Sequence, residues 1–234
     1  MRIAYRRQTG VSLVELSIVL AIAGFLWGSV FVVQSVVERA TAHKLVQELI
    51  SVKAMLYAYR ERYGAVPGDD GRAAEHLPGA VSASGGTASR AFHDDGLITS
   101  GNWQWATNHS TLTQYPPELI TSPEPALFWN HVRHAKLAQG DPLEFPVYNA
   151  VHGYLGVGDD GPSEPLGVTG QYKVCSSAID GHLAKLMDEK IDDGDATTGK
   201  VFAAVELLDA PVTSTRDAPS PYVRGKNYTV CMRF

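Results

Sequence analysis

Few residues in this 234-residue chain have both the type and the spacing for chemistry, and the first is a lone acid. Glu15 is the only ionisable side chain between Val11 and Val33. A charged group near the centre of a bilayer span is unfavourable by about 2–3 kcal/mol on insertion scales, so a carboxylate kept there implies a partner. Far along the chain, Asp193, Asp195 and Thr197 alternate ahead of Gly199, a spacing of oxygen ligands that can wrap a calcium ion. The stretch lacks the glycine offset and closing Glu of an EF-hand, and a hydrated Asp-Gly turn is its other reading. "GDDG" at 158–161 has the same status. His131 and His134 stand three apart, which can hold a metal, but no third ligand accompanies them and core or solvated histidines fit as well. His93 lies beside Asp94 and Asp95. The chain has no G-x-S-x-G elbow, no G-x-x-x-x-G-K-[ST] loop and no H-E-x-x-H pair, so no enzymatic activity is expected.

Cys175 and Cys231 are the only cysteines. In an exported chain an even pair forms a disulfide, which here closes a loop of more than fifty residues and stabilises the fold by about 4 kcal/mol in the chain-entropy treatment. In a reducing compartment the same pair would be two buried thiols. Hydrophobic content of 44% and charged content of 19% fit a folded protein, and a net charge of −5 argues against nucleic acid as a main partner.

The elements that must position these groups begin at the N-terminus. Residues 1–10 carry Arg2, Arg6 and Arg7 and no acid, and Val11 to Val33 follows as 23 apolar or small residues broken only by Glu15. As a helix that run is about 34 Å long, enough to cross a bilayer, with the arginines holding its front end in the cytoplasm. A signal peptide cleaved after "ATA" at 40–42 would have the small-x-small form but too long an apolar run. A plain signal anchor accounts for the length and leaves Gly10 and Glu15 unexplained.

"GVSLVE" (Gly10 to Glu15) followed by "LSIVLAIAGFL" resembles the N-terminal signal of type IV pilins and of the pseudopilins of type II secretion. Gly24 falls where such helices commonly carry glycine, and Val11 stands where Phe is more usual. The resemblance implies that a prepilin peptidase cuts between Gly10 and Val11 and N-methylates Val11. It also implies that the apolar helix is kept, first as an anchor in inner-membrane lipid and then as a filament core. Glu15 would pair with the Val11 amine of a neighbouring subunit, so that each buried charge satisfies the other. The implied partners are other pilin or pseudopilin subunits, the peptidase and the inner-membrane assembly platform; nucleic acid is not expected. Major pilins usually carry a proline partway along the apolar segment, and its absence here favours a minor pilin or minor pseudopilin.

No proline occurs before Pro67, so the helix can run to about Tyr63. Ala42, Leu45, Leu49, Val52, Leu56, Tyr59 and Tyr63 are spaced 3, 4, 3, 4, 3, 4 and form one apolar stripe. Gly64 can cap the helix, and "VPGDDG" (66–71) is a turn by composition, with Asp69 and Asp70 as turn residues and a "PGD" similar to that of some pilin-like proteins. "GAVSASGGTASR" (79–90) has loop composition, and Trp103 and Trp105 alternate as on an extended edge. Ser122, Pro123 and Glu124 open a helix expected to end near Gly140. The runs 145–158, 171–179, 200–208 and 227–234 have strand composition, and 180–194 fits a helix capped by Asp180.

The expected fold is therefore α+β and pilin-like. A long N-terminal spine helix, transmembrane in its first half, packs on a C-terminal antiparallel sheet. The leader is 1–10, the membrane or filament-core helix 11–33, the periplasmic half of the spine 34–63 and the globular periplasmic domain 64–234. The other function this sequence allows is a membrane-anchored periplasmic binding protein or adhesin that never enters a filament.

Overall fold

The computed structural model describes residues 10, 12–83, 94–98, 124–144, 146–159, 172–206 and 219–234, without the side chains of 29–32. Ser122, Pro123, Trp103, Trp105 and His93 lie outside them, as does 84–90 of the Gly/Ser/Ala-rich stretch. The chain divides into two compact units, 1–40 and 41–234. The globular unit thus begins inside the spine helix rather than after it.

Helix α1 runs from Leu13 to Tyr63 without a break, as the proline-free sequence predicts. From Ala42 to Tyr59 the six stripe residues are at most 2% exposed, and Tyr63 packs against the same core. The helix stops at Gly64, whose N–H reaches the Arg60 carbonyl at 2.9 Å and whose φ of +70° suits glycine.

Four antiparallel strands form one sheet: β1 (Leu155–Asp159), β2 (Tyr172–Asp180), β3 (Val201–Val205) and β4 (Asn227–Arg233), in the order β1-β2-β4-β3. Val157, Val174, Met232 and Val201 lie side by side across all four strands and share one buried cluster with the α1 stripe. One residue along, Cys175, Cys231 and Phe202 make a second cluster, since successive side chains point to opposite faces. Helix α4 (Gly181–Ile191) follows β2 directly, with the Asp180 carboxylate accepting the His182 N–H at 2.9 Å as its N-cap. Its Ala184 and Met187 are fully buried.

Two short helices complete the described fold, α2 (Ala73–His76) and α3 (Glu124–His134). Helix α3 ends six residues before Gly140. Lys136 takes the left-handed conformation (φ 61°), the Leu137 N–H bonds the Val132 carbonyl and the Lys136 N–H bonds the Arg133 carbonyl. That is a Schellman closure made by a lysine. The Arg133 guanidinium then holds the following loop by donating to the carbonyls of Gln139, Asp141 and Glu144.

Cys175 and Cys231 are bridged, and they are direct partners in the β2–β4 ladder. Replacing both by Ala is expected to lower the unfolding free energy of the full chain by about 2–4 kcal/mol. Urea denaturation in detergent micelles checks this, and an unchanged midpoint would mean that the ladder alone fixes the register.

Candidate functional site

In the first unit the processing motif lies at the start of α1. Gly10 is exposed and outside the helix, while Val11 falls outside the described residues. The Ser12 carbonyl accepts the Leu16 N–H at 3.1 Å, which makes Ser12 the N-cap residue and Glu15 the third helical residue. S-x-x-E at these positions is the sequence of a capping box. An acid in the first turn is also favoured by the peptide dipoles, so Glu15 has a use within its own chain.

Beyond it the helix is apolar on every side and covered on none. Leu13, Phe25 and Trp27 are 85%, 78% and 75% exposed. This is the one described helix long and apolar enough to cross a membrane. A Cβ added at Gly24 or Gly28 would meet nothing within 4 Å, so no contact in the chain calls for glycine at either place. Each nonetheless weakens the helix by about 1 kcal/mol relative to Ala. With Ser17 and Ala21 they stand 4, 3 and 4 apart on one face, and Gly24–Gly28 is a G-x-x-x-G that lets another helix approach closely. Both the capping box and the second glycine could have been found from the sequence by their spacing.

The second unit carries a polar centre whose turn is indicated by composition and whose burial is not. Residues 66–70, Val-Pro-Gly-Asp-Asp, form the expected turn, with the Asp69 N–H on the Val66 carbonyl at 3.1 Å, but all five are buried. Asp70 is 1% exposed. Its Oδ2 accepts the Tyr59 hydroxyl at 2.7 Å and contacts His76 Nε2 at 2.8 Å, while its Oδ1 accepts the Arg72 N–H at 2.9 Å. One carboxylate therefore joins the end of the spine helix to α2. Burial and the Asp70 charge push the Tyr59 phenol well above its usual range and keep it protonated. His76 stacks on Tyr63, with ring centroids 4.7 Å apart.

Asp69 does the same for another segment. Its Oδ2 accepts the Gly96 N–H at 2.7 Å, its Oδ1 the Asp95 N–H at 3.4 Å and its carbonyl the Asp94 N–H at 2.9 Å. Gly68 lies so close to α3 that a Cβ there would stand 2.5 Å from the Glu124 carbonyl oxygen. The Gly68 N–H donates to His131 Nδ1 at 2.9 Å, and His131 Nε2 donates to the Val81 carbonyl at 2.6 Å. This bonding assigns a neutral ring, and burial pushes His131 down to about 4. His131 is thus a committed core histidine, unavailable to a metal shared with His134.

The segment between α4 and β3 is a turn, and the grouping of its carboxylates differs from the calcium alternative, which pairs Asp193 with Asp195. Carboxylate oxygens of Asp188, Asp192 and Asp193 lie within 4.8 Å of one another, and Asp195 is not among them. Asp195 Oδ1 instead accepts from the backbone and hydroxyl of Thr197. Asp193 accepts the Asp195 N–H and the Thr198 hydroxyl, Asp192 accepts the backbone N–H groups of Lys200 and Val201, and Asp188 accepts the Tyr222 hydroxyl at 2.7 Å. These carboxylates hold the turn together, as short Asp side chains do.

If the buried centre supports the fold, Asp70→Ala should lower stability by about 3 kcal/mol, because it strands the Tyr59 hydroxyl and the Arg72 N–H. Tyr59→Phe removes one charge-assisted bond and should lower it by about 1.5 kcal/mol. Chemical denaturation measures both, and a loss below about 0.5 kcal/mol for Asp70→Ala would deny the centre that role. Compared with known proteins, the chain matches no family model, no curated protein and no solved structure.

Proposed function

We propose that this chain is a structural subunit, a minor pilin or minor pseudopilin, of a type IV pilus or type II secretion filament. A prepilin peptidase releases residues 1–10 and methylates the Val11 amine. The apolar part of α1 then rests in inner-membrane lipid, with 41–234 on the periplasmic side, until the assembly platform transfers it to neighbouring subunits. The observation that carries this reading is the "GVSLVE" signal heading a helix that is apolar on all sides and unburied. The face made by Ser17, Ala21, Gly24 and Gly28 supports it further. Between helices in lipid, attraction comes from close packing and hydrogen bonds, for which small residues are suited.

Glu15 carries the assembly step. Cleavage places a positive amine at the N-terminal end of α1, where the peptide dipoles disfavour it. A carboxylate in the first turn offsets that charge, and Glu15 of one subunit with the Val11 amine of the next removes two groups that an apolar core tolerates only as a pair.

Mass spectrometry of the mature protein tests the processing. N-methyl-valine at Val11 is the expected N-terminus, whereas a start at His43 would establish conventional signal cleavage and end the proposal. Substitution at position 15 tests the pairing. Gln serves a capping box as Glu does, but it carries no charge. Both Glu15→Ala and Glu15→Gln are therefore expected to insert in the membrane and to fail incorporation into filaments. Normal incorporation of Glu15→Gln would reduce Glu15 to a helix cap. Gly24→Leu and Gly28→Leu should each insert at least as well as the parent yet weaken association between subunits about tenfold or more, scored by co-purification from filaments. A chain that works with residues 1–33 replaced by an unrelated anchor would instead be a membrane-anchored binding protein or adhesin.

A further inference from the structure

The sheet carries an irregularity on which its disulfide depends. On β4 the core residues Tyr228, Val230 and Met232 alternate strictly, as on a strand with one face toward the core. On β2 the core residues are Tyr172, Val174 and Ile179, so the alternation slips by one residue. The slip lies between Ser176, opposite Val230, and Ile179, opposite Tyr228. Ser177 and Ala178 there face Thr229 alone, which is a β-bulge. Continued without the extra residue, the pairing of Ile179 with Tyr228 would bring Cys175 opposite Met232 and Cys231 opposite Ser176. The two cysteines would then point to opposite faces and could not be joined.

The apolar pattern asks for one extra residue between Val174 and Ile179 but does not say where. Placed at 175–176, it would take Cys175 out of the ladder. Ala178 marks the place it takes, with a φ of 58° in the left-handed region that glycine favours. Its N–H donates to a side chain, Glu206 Oε1, at 2.8 Å. Glu206 is 7% exposed and directly follows β3, and the same oxygen accepts the Thr229 hydroxyl at 2.9 Å. Its own N–H donates to the Asn227 carbonyl at 2.8 Å. One carboxylate therefore reaches from the end of β3 across β4 to β2 and binds both sides of the bulge. On the other side, Ser177 and Tyr154 exchange two bonds, Ser177 N–H to the Tyr154 carbonyl and Tyr154 N–H to Ser177 Oγ. Those bonds tie the bulge to the strand before it and leave its place along β4 to Glu206.

We propose that Glu206 is a positioning residue for the disulfide: its carboxylate fixes the bulge at Ser177–Ala178, past Cys175, and so keeps Cys175 opposite Cys231. The placement acts within one chain and is independent of any filament. The bond forms by exchange with a disulfide. One cysteine thiolate displaces a thiol from oxidised glutathione, and the second thiolate displaces the glutathione left attached. One oxidised glutathione thus yields the bridge and two reduced glutathiones.

The test is refolding of the full chain in detergent micelles in glutathione buffers, with the bridged and reduced fractions counted after alkylation. Their ratio gives the effective concentration of the two thiols. Glu206→Ala should lower it about tenfold, equal to about 30 mV in reduction potential. Glu206→Gln keeps an acceptor oxygen and should stay within about threefold of the parent. Met187→Ala, in the core of α4, serves as the purely structural control. It should lower the urea midpoint and leave the effective concentration within about twofold of the parent. A Glu206→Ala value within about twofold of the parent, a Gln value as low as the Ala one, or an equal fall in Met187→Ala overturns the placement. Should Glu206→Ala not fold, amide exchange of Ala178 in the parent decides. Slowing by at least about tenfold relative to a free amide sustains the bond to Glu206, and less overturns it.

Discussion

A carboxylate withdrawn from water must gain donors, a cation or a proton, and this chain meets that constraint just past the end of its longest helix. Near the start of α1, Glu15 is exposed, with backbone N–H groups of the first turn as its nearest natural complement. Just past the end of α1, Asp69 and Asp70 are buried where several segments meet. Asp70 is satisfied by donors from the spine helix, from its own turn and from α2. Asp69 accepts from backbone N–H groups, and burial pushes its carboxyl up to about 7. Apolar burial brings these elements together without specifying which side faces which. The hydrogen-bonded acids supply that choice, because any other arrangement would leave them unpaired.

The helix between these points lives in two kinds of surroundings. Up to Val37 its described large apolar side chains are exposed, and from Ala42 onward a single stripe is buried while Ile50 and Tyr57 remain about 45% exposed. Polar residues begin on the other faces in the same place, with Gln34, Glu38 and Arg39. The change from an all-round apolar surface to a one-sided stripe is the change from a segment that needs lipid or other helices to one that needs a protein core.

Periodicity made α1, its stripe and its end at Gly64 legible before any coordinates, as did strand composition for the four strands and Asp180 for the cap of α4. Those features are local: a repeat, a cap or a β-branched run is written in neighbouring residues. The misplaced features depend on distant ones. Helix α3 ends at a lysine in the left-handed conformation because the loop beyond it is gathered by Arg133, not because a glycine waits at 140. Asp69 and Asp70 have the composition of a surface turn, and only the approach of α3 and of residues 94–96 encloses them. In the acidic turn, alternation allowed calcium beside an Asp-Gly turn, and the bonding of Asp193 and Asp195 to nearby threonines belongs to the turn. Ser12 and Gly28 were legible and needed only their spacing to be counted.

The position of β4 bears on how such a chain can be made. Residues 227–233 supply an interior strand, flanked by β2 and β3, and carry the second half of the disulfide. Until they are synthesised, β2 and β3 have no common neighbour, Cys175 has no thiol to meet, and the stripe of α1 lacks much of the surface that covers it. Contacts of such long sequence separation form late and slowly. During synthesis the unit therefore passes through a stage in which its apolar surface is bare, a vulnerable interval in which proteases and chaperones compete with folding.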